Sequence, residues 1–314
     1  MEDHQLTRRR FAGLAAAAAA VQVMHLPGEA IASESKLSAA EVMKRISTAS
    51  GVAVPDRTVD GFKAGDESAV VRGIAVTSMA TMEVLRKANN ARLNLVLSFE
   101  PAFFGRNDGR PPVASATGGA GGGGPGGAGV AQDDPILVAK RQFLQTNGLT
   151  VYRLHDQWSG RTANEHAKAL ASAMKWTHAV GDSATDYQIT PARLSGIVAQ
   201  VRANLKVGGG LRVIGDPNAQ IRRVVVLPGV QSLATLVAKL PSTDLILAGE
   251  TRDWEGPEYV GDAVTAGLNK GLITVGKVVS ADPGMRACAD WIKTIIKEVP
   301  VQWIAAGEPF WRPA

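Results

Sequence analysis

The sequence has 314 residues, enough for one large domain or two ordinary ones, and its 45% hydrophobic and 20% charged residues are typical of a soluble globular protein. The formal net charge is +5, part of which comes from the arginines among the first ten residues. The rest of the chain is therefore close to neutral, and we expect no nucleic-acid partner. The single cysteine, Cys288, excludes an intramolecular disulfide bond and a metal cluster held by thiolates.

The first 32 residues have the organisation of an export signal. Three arginines at positions 8–10 precede a stretch of small apolar residues at 12–23, and Ala-Ile-Ala at 30–32 supplies the pattern that a signal peptidase cuts. The paired arginines resemble the twin-arginine signal, whose route carries folded proteins. We predict cleavage after Ala32, a periplasmic or secreted mature protein, and no membrane anchor after cleavage, because no later run of about 18 apolar residues follows.

The first half of the mature chain, residues 33–180, has alternating helix and strand patterns. A first helix is predicted over 37–47, with Ser38 as its N-terminal cap and Glu41 as the partner in a capping box. The next predicted elements are a strand at 69–77, a helix at 81–89, a strand at 93–97, a helix at 135–147, a strand at 150–154 and a helix at 162–175. The Gly-rich insertion at 106–134 buries too little surface to offset its ordering entropy, so we predict disorder there.

The second half, residues 181–314, repeats the alternation after a middle segment that is rich in predicted strands. The predicted elements are strands around 187–189 and at 210–214, a strand at 224–230, a helix at 232–240, a strand at 244–247, a helix at 258–267, a strand at 271–275 and a helix at 284–298. Two such halves favour an α/β fold with two α/β domains, each with a mixed sheet flanked by helices.

Polar residues follow four of the predicted strands, where α/β sheets present their ligands. These residues are Glu100, the pair His155 and Asp156, Glu250, and Lys277 with Asp282 beyond it. Each alone is more often a solvated side chain or a helix cap, but together they can form one polar cleft. Carboxylates with a histidine suit Mn, Fe, Zn or Mg. His166 and His178 have no acidic or histidine partner at ligand spacing, so we assign them packing or surface roles.

At these four strand ends the sequence resembles the NIF-three-like family of dinuclear-metal proteins, the GTP cyclohydrolase 1 type 2 homologues. Leu-Ser-Phe-Glu-Pro-Ala-Phe-Phe at 97–104 stands where the family has His-His-Pro or His-Glu-Pro, and Val-Tyr-Arg-Leu-His-Asp-Gln-Trp at 151–158 stands at its second motif. Ala-Gly-Glu at 248–250 looks like the Thr-Gly-Glu segment, and residues 276–285 look like the Gly-His-x-x-Ser-Glu ending. The resemblance implies two α/β domains, a toroidal hexamer and a two-metal centre that faces an internal cavity.

The chain departs from the family pattern at four positions. The histidine expected in the first motif is Phe99, and the ligand position four residues after His155 is Ser159. In the last motif the histidine is Lys277 and the glutamate is Ala281. Only Glu100 and His155 match outright, whereas a two-metal site needs about five or six protein ligands. The resemblance therefore implies a degraded metal site, with Asp156 and Asp282 as candidate replacement ligands.

Two functional hypotheses follow. In the first, the degraded site has no catalytic metal and the protein binds an unknown small molecule or assembles, with Lys277 among Glu100, Asp156 and Glu250 in place of the metal's charge. In the second, one divalent ion (Mn, Fe, Zn or Mg) on Glu100, His155 and one of the two aspartates activates water to hydrolyse a small ester, amide or phosphate. The expected cofactor is thus one such metal ion or none.

Replacing Arg8, Arg9 and Arg10 by lysine should block export, because the twin-arginine route requires the paired guanidinium groups. Cell fractionation, with N-terminal sequencing of the exported protein, measures the effect, and Ser33 should be the mature N-terminus. A triple-lysine variant that reached the same compartment at the same yield would contradict the twin-arginine prediction.

Overall fold

The computed structural model describes residues 37–53, 58–105, 108, 130–161 and 164–310, which belong to one compact unit. The predicted signal peptide and most of the predicted insertion lie outside these residues. The helices are α1 (Ala39–Ser50), α2 (Met82–Asn90), α3 (Pro135–Thr146), α4 (Asp156–Arg161), α5 (Glu165–Ala173), α6 (Leu194–Leu205), α7 (Leu233–Lys239), α8 (Gly256–Thr265) and α9 (Lys277–Ile295). None of these described helices has both the length and the apolar character to cross a lipid bilayer.

The strands form two mixed sheets. They are β1 (Gly61–Ala64), β2 (Ile74–Thr77), β3 (Leu95–Ser98), β4 (Thr150–Arg153), β5 (His178–Ala179), β6 (Asp186–Arg193), β7 (Arg212–Ile214), β8 (Gln220–Val230), β9 (Leu245–Glu250), β10 (Gly271–Thr274) and β11 (Val301–Trp303). The first sheet has the order β1-β4-β3-β2-β11 and the second β5-β6-β8-β9-β10-β7. The predicted α/β class, with two mixed sheets flanked by helices, is confirmed.

Both sheets have a parallel centre and antiparallel edges. In the first sheet β4, β3, β2 and β11 run parallel while β1 is antiparallel to β4. In the second, β8, β9 and β10 run parallel between the antiparallel strands β6 and β7. The central strands β2, β3, β4 and β10 are buried over their whole length, as strands covered on both faces are. The division at residues 180 and 181 stays a prediction, and β11 returns from the C-terminal end to the first sheet.

Helix α9 connects the two halves through its buried face. Val279 packs in the core of the second sheet, whereas Met285, Cys288 and Ile292 pack in the core of the first. The helix contacts β2 and β11 of the first sheet and β8 and β9 of the second. Burying an apolar side chain of this size stabilises the fold by about 1.5–3 kcal/mol. The position of the first turn of α9 is thus fixed by both cores.

The predicted elements are incomplete, the predicted start of the last helix is wrong, and one capping prediction is confirmed. The predictions do not include the helix α6 in the middle segment, the short helix α4 after His155, or the strands β1, β5 and β11. The last helix begins at Lys277 rather than at residue 284, because its buried contacts outweigh the cost of Pro283 in the helix interior. Ser38 caps α1 as expected, accepting a hydrogen bond from the Glu41 backbone N–H at 3.2 Å.

Asp108, which lies within the predicted insertion, forms a buried ionic cluster under the first sheet. Its carboxylate is 2.9 Å from Arg153 Nη1 on β4 and 3.7 Å from Lys63 Nζ on β1. The same carboxylate accepts the Ala102 backbone N–H at 2.6 Å. All three charged side chains are at most 9% exposed. The cluster holds the chain beyond β3 against β4 and β1.

Replacing Asp108 by asparagine should lower the free energy of unfolding by about 3–5 kcal/mol, because it leaves two buried cations without their shared carboxylate. Urea denaturation measures the loss. The matched control is Glu83→Gln, which removes a solvent-exposed pair with Lys87 and should hardly move the midpoint. Equal midpoints for the two variants would show that Asp108 is not docked in this cluster.

Candidate functional site

The residues that follow the parallel strands meet at a cleft between the two sheets. The cleft has a volume of about 1010 Å³ and is lined by residues after β3 and β4, by the bend in β8 at residues 228–230, and by the first residues of α9. The carboxyl ends of parallel strands lie at one edge of a sheet, which is why the side chains after β3 and β4 converge. Of the predicted site residues, Glu100, His155, Asp156 and Lys277 line this cleft.

Glu100 and Lys277 form an ion pair across the cleft. Lys277 Nζ is 2.8 Å from Glu100 Oε2, and the Glu100 side chain is 9% exposed whereas that of Lys277 is 36% exposed. Lys277 is the first residue of α9, where the helix dipole disfavours a positive charge. The attraction of the buried carboxylate therefore holds the ammonium in place.

Phe99 stands between two imidazole rings. Its ring centroid is 4.4 Å from that of His155, nearly parallel to it, and 4.5 Å from that of His166. Phe99 also continues β3, since its N–H donates to the Thr77 carbonyl at 3.1 Å. Both imidazoles thus pack against the same apolar ring on the wall of the cleft, His155 stacked on it and His166 tilted by 54°.

His155 and Asp156 are positioned by a second aspartate. The Asp60 carboxylate accepts the backbone N–H groups of His155, Asp156 and Gln157 at 2.6, 2.8 and 2.9 Å, and so caps the start of α4. The Nδ1 atom of His155 is 2.8 Å from Asp156 Oδ1. The other oxygen of Asp156 accepts from the Thr58 hydroxyl and the Val59 N–H. Although burial raises it, the pKa of Asp156 is lowered overall by these hydrogen bonds.

His166 is a cleft residue to which the sequence analysis gave only a packing or surface role. Its ring packs against Phe99 and Trp158, and its Nδ1 atom is 3.3 Å from the Ala281 carbonyl oxygen. Its Nε2 atom is buried and has no hydrogen-bond partner among the described residues. Burial lowers the pKa of His166 to about 4, so the ring is neutral at neutral pH.

Asp282 and Glu250 lie apart from the four convergent residues. The Asp282 carboxylate bonds to the Ser78 hydroxyl and to the backbone N–H groups of Ala306 and Gly307, and burial raises its pKa to about 6. It is not among the described residues that line the cleft. Glu250 lines a second cleft of about 980 Å³, to which Lys277 also contributes. The structure therefore does not bring all six predicted residues into one site.

The described residues do not fit a two-metal centre. The apolar ring of Phe99 packs against both imidazoles, the Lys277 ammonium contacts an oxygen of Glu100, and both oxygens of Asp156 accept or share hydrogen bonds. Over the described part of the chain, no three His, Cys, Asp or Glu side chains are arranged to hold a metal ion. The described side chains of the cleft instead contact one another.

Two basic residues of the cleft, Lys140 and Arg153, were missed by the sequence analysis. Lys140 is 4% exposed and Arg153 is 5% exposed, and both line the cleft. A signal for Lys140 was present, because it shares the buried face of α3 with Leu137 and Leu144 at helical spacing. A lysine at a core-facing position predicts either a buried partner or a functional amine.

The free energy of unfolding should depend on pH through two groups whose pKa values are shifted in opposite directions. His166 has a folded pKa of about 4 against its ordinary 6.5, so the unfolded chain binds more protons in that window and stability falls as the pH drops. Asp282 has a folded pKa of about 6 against its ordinary 3.8, so the folded chain binds more protons in that window and stability rises as the pH drops. From pH 7 to about pH 4.5, His166→Gln should therefore lose about 2 kcal/mol less stability than the parent.

Urea denaturation at the two pH values measures this difference, and Asp282→Asn is the opposite control. Because that substitution removes the stabilising proton, the Asp282→Asn variant should lose more stability than the parent between the same pH values. If the His166→Gln variant and the parent lost equal stability, the imidazole would not be neutral and buried.

Comparisons with known proteins identify solved structures with a similar fold. No protein-family model and no curated protein matches this sequence. Among solved structures, Staphylococcus aureus protein SA1388 has a TM-score of 0.64 at 14% identity, over 88% of this chain and 100% of that one. The protein ybgI, of unknown function, gives 0.63 at 17% identity, over 87% and 100%. A Bacillus cereus protein related to NIF3 gives 0.56 at 13% identity, over 89% and 100%. The chain therefore has the fold that these proteins share.

Proposed function

We propose that this chain is a divergent NIF-three-like protein whose cleft binds a small molecule without a metal ion. The observation that carries the proposal is the 2.8 Å contact between Lys277 Nζ and the buried carboxylate of Glu100. In the family motifs that the sequence resembles, Lys277 stands at a histidine position and Glu100 at a matching ligand position. The Lys277 ammonium would thus take the place of a metal ion beside Glu100.

The exchange of a metal for an ammonium group changes the chemistry of the cleft. A lysine compensates the charge of a buried carboxylate, as a metal ion does, but it offers no open coordination position to polarise a substrate or activate water. The charge balance of the cleft is kept while Lewis-acid chemistry is lost. This argues for binding rather than metal-assisted hydrolysis.

The rim of the cleft indicates a ligand with an apolar part. Phe104, Ile136 and Val230 all line the cleft and are 56%, 63% and 58% exposed. Large apolar side chains that cluster at the mouth of a polar cleft are typical of a ligand-binding surface. The inner wall offers the imidazoles of His155 and His166 and the ammonium of Lys277 as polar contacts.

The single-metal hydrolase is the alternative, and no contact among the described residues of the cleft favours it. It requires Glu100 to leave Lys277, and Asp156 could join as a ligand only by giving up its bonds to His155, Thr58 and Val59. Asp282, the other candidate ligand, is bonded to Ser78 and to residues 306–307.

Export and assembly complete the proposal. The twin-arginine leader would deliver the folded protein to the periplasm or the medium, and the resemblance suggests a ring of six chains. Light scattering of the mature protein measures the assembly, and a monomer would contradict the proposed ring.

Elemental analysis of protein purified without a metal-binding tag tests the metal-free cleft. The parent should hold far less than one metal ion per chain after exposure to Mn, Fe or Zn. The double variant Phe99→His with Lys277→His should gain about one ion per chain, because it frees Glu100 and places a third imidazole between His155 and His166.

The matched control is Ser159→Asp. Ser159 stands at a ligand position of the family motif, but it is exposed on α4 and is not among the described residues of the cleft. It should therefore gain no metal. A parent that already held close to two ions per chain would overturn the metal-free proposal.

A further inference from the structure

Lys140 is a buried amine on the wall of the cleft that the proposed function does not use. It lies on α3 one turn after Ile136, and both residues line the cleft. The residue is 4% exposed, whereas lysines are almost never fully buried unless they are paired. A long, flexible, charged side chain in this position therefore requires a physical explanation.

The surroundings of Lys140 are mostly apolar. Its Nζ atom lies 5.6 Å from the centre of the Phe103 ring and 5.1 Å from that of the Phe104 ring, and it donates a hydrogen bond to the Ala102 carbonyl. No described carboxylate forms an ion pair with it. Asp108, whose charge acts on Lys140, is already contacted by Arg153 and Lys63.

This environment increases the neutral fraction of the amine above that of a lysine in water. Desolvation by burial lowers the pKa of Lys140 to about 8, although the Asp108 charge acts in the opposite direction. A neutral amine keeps an N–H for the Ala102 carbonyl and leaves its lone pair available to a bound molecule. A lysine desolvated in an apolar pocket is one of the ways in which proteins activate an amine nucleophile.

We propose that Lys140 forms an imine with a small aldehyde or ketone that binds in the cleft. The inference rests on the proposed function only in that the cleft must admit a small molecule. The carbonyl compound is the ligand class that an amine nucleophile selects, and the apolar side chains of Phe104 and Ile136 beside Lys140 fit its carbon skeleton.

The reaction balances without an oxidant, a reductant or a metal. The nitrogen lone pair attacks the carbonyl carbon, the C=O π electrons move to oxygen, and proton transfer from nitrogen gives a neutral carbinolamine. Both amine hydrogens finally leave with the carbonyl oxygen as water, and a C=N bond remains. If the imine nitrogen then takes up a proton from solvent, its new N–H can donate to the Ala102 carbonyl, which accepts from the amine before the reaction.

Reductive labelling of the unmodified protein tests the proposal. The mature protein is treated with propanal and cyanoborohydride at about pH 7.5, and peptide mass mapping follows labelling at each lysine. At that pH about a quarter of amines with a pKa near 8 are neutral, against about one in a thousand for a lysine in water. Although Lys140 is buried, it should be labelled at least about tenfold faster than the exposed Lys87 or Lys168.

Variants and a metal assay separate the two proposals. Lys140→Met should lose the fast labelling while Lys168→Met, the exposed control, retains it. Fast labelling of Lys140 in protein that holds two metal ions would refute the metal-free cleft and leave this inference standing. Labelling of Lys140 no faster than that of Lys87, in metal-free protein, would overturn this inference alone.

Discussion

Helix α9 is packed into the cores of both sheets at once, and the geometry of the cleft depends on that constraint. Its buried residues Val279 and Met285 belong to different cores. A shift of the helix relative to either sheet would therefore open a cavity in the core of that sheet. The helix begins at Lys277, and the ammonium group is therefore delivered to a fixed point opposite Glu100. The proposed replacement of a metal by an ion pair relies on this rigid positioning, because a mobile lysine would leave the buried carboxylate unpaired.

Each of three carboxylates around the cleft has a hydrogen-bond or ion-pair partner. Asp60 receives three backbone N–H groups, Asp108 contacts two cations and an N–H, and Glu100 has Lys277. Such saturation offsets the cost of removing charge from water. The Lys140 amine differs from these groups, since it lies beside two aromatic rings and donates to a carbonyl rather than to a carboxylate. That contrast is the reason for treating its amine as functional.

The fold class and the central strands could be predicted from the sequence because buried parallel strands are short runs of Val, Leu and Ile between turn residues. The positions of Glu100 and His155 in the cleft follow from the same rule, since both come after such strands. The orientation of Asp282 could not be predicted, because Pro283 and Gly284 favoured a loop where the structure continues α9. Once the residue is helical, its direction depends on the helix face, and tertiary packing alone decides that.

The pairing of β11 with β2 has a consequence for when the protein can fold. The edge of the first sheet is completed by residues that the ribosome makes after every other described strand, so the native sheet cannot close while those residues are still inside the exit tunnel. Contacts between residues so distant in sequence also form slowly. On the proposed export route, which accepts folded proteins, the leader would be synthesised first, but transport would have to wait until β11 has paired with β2.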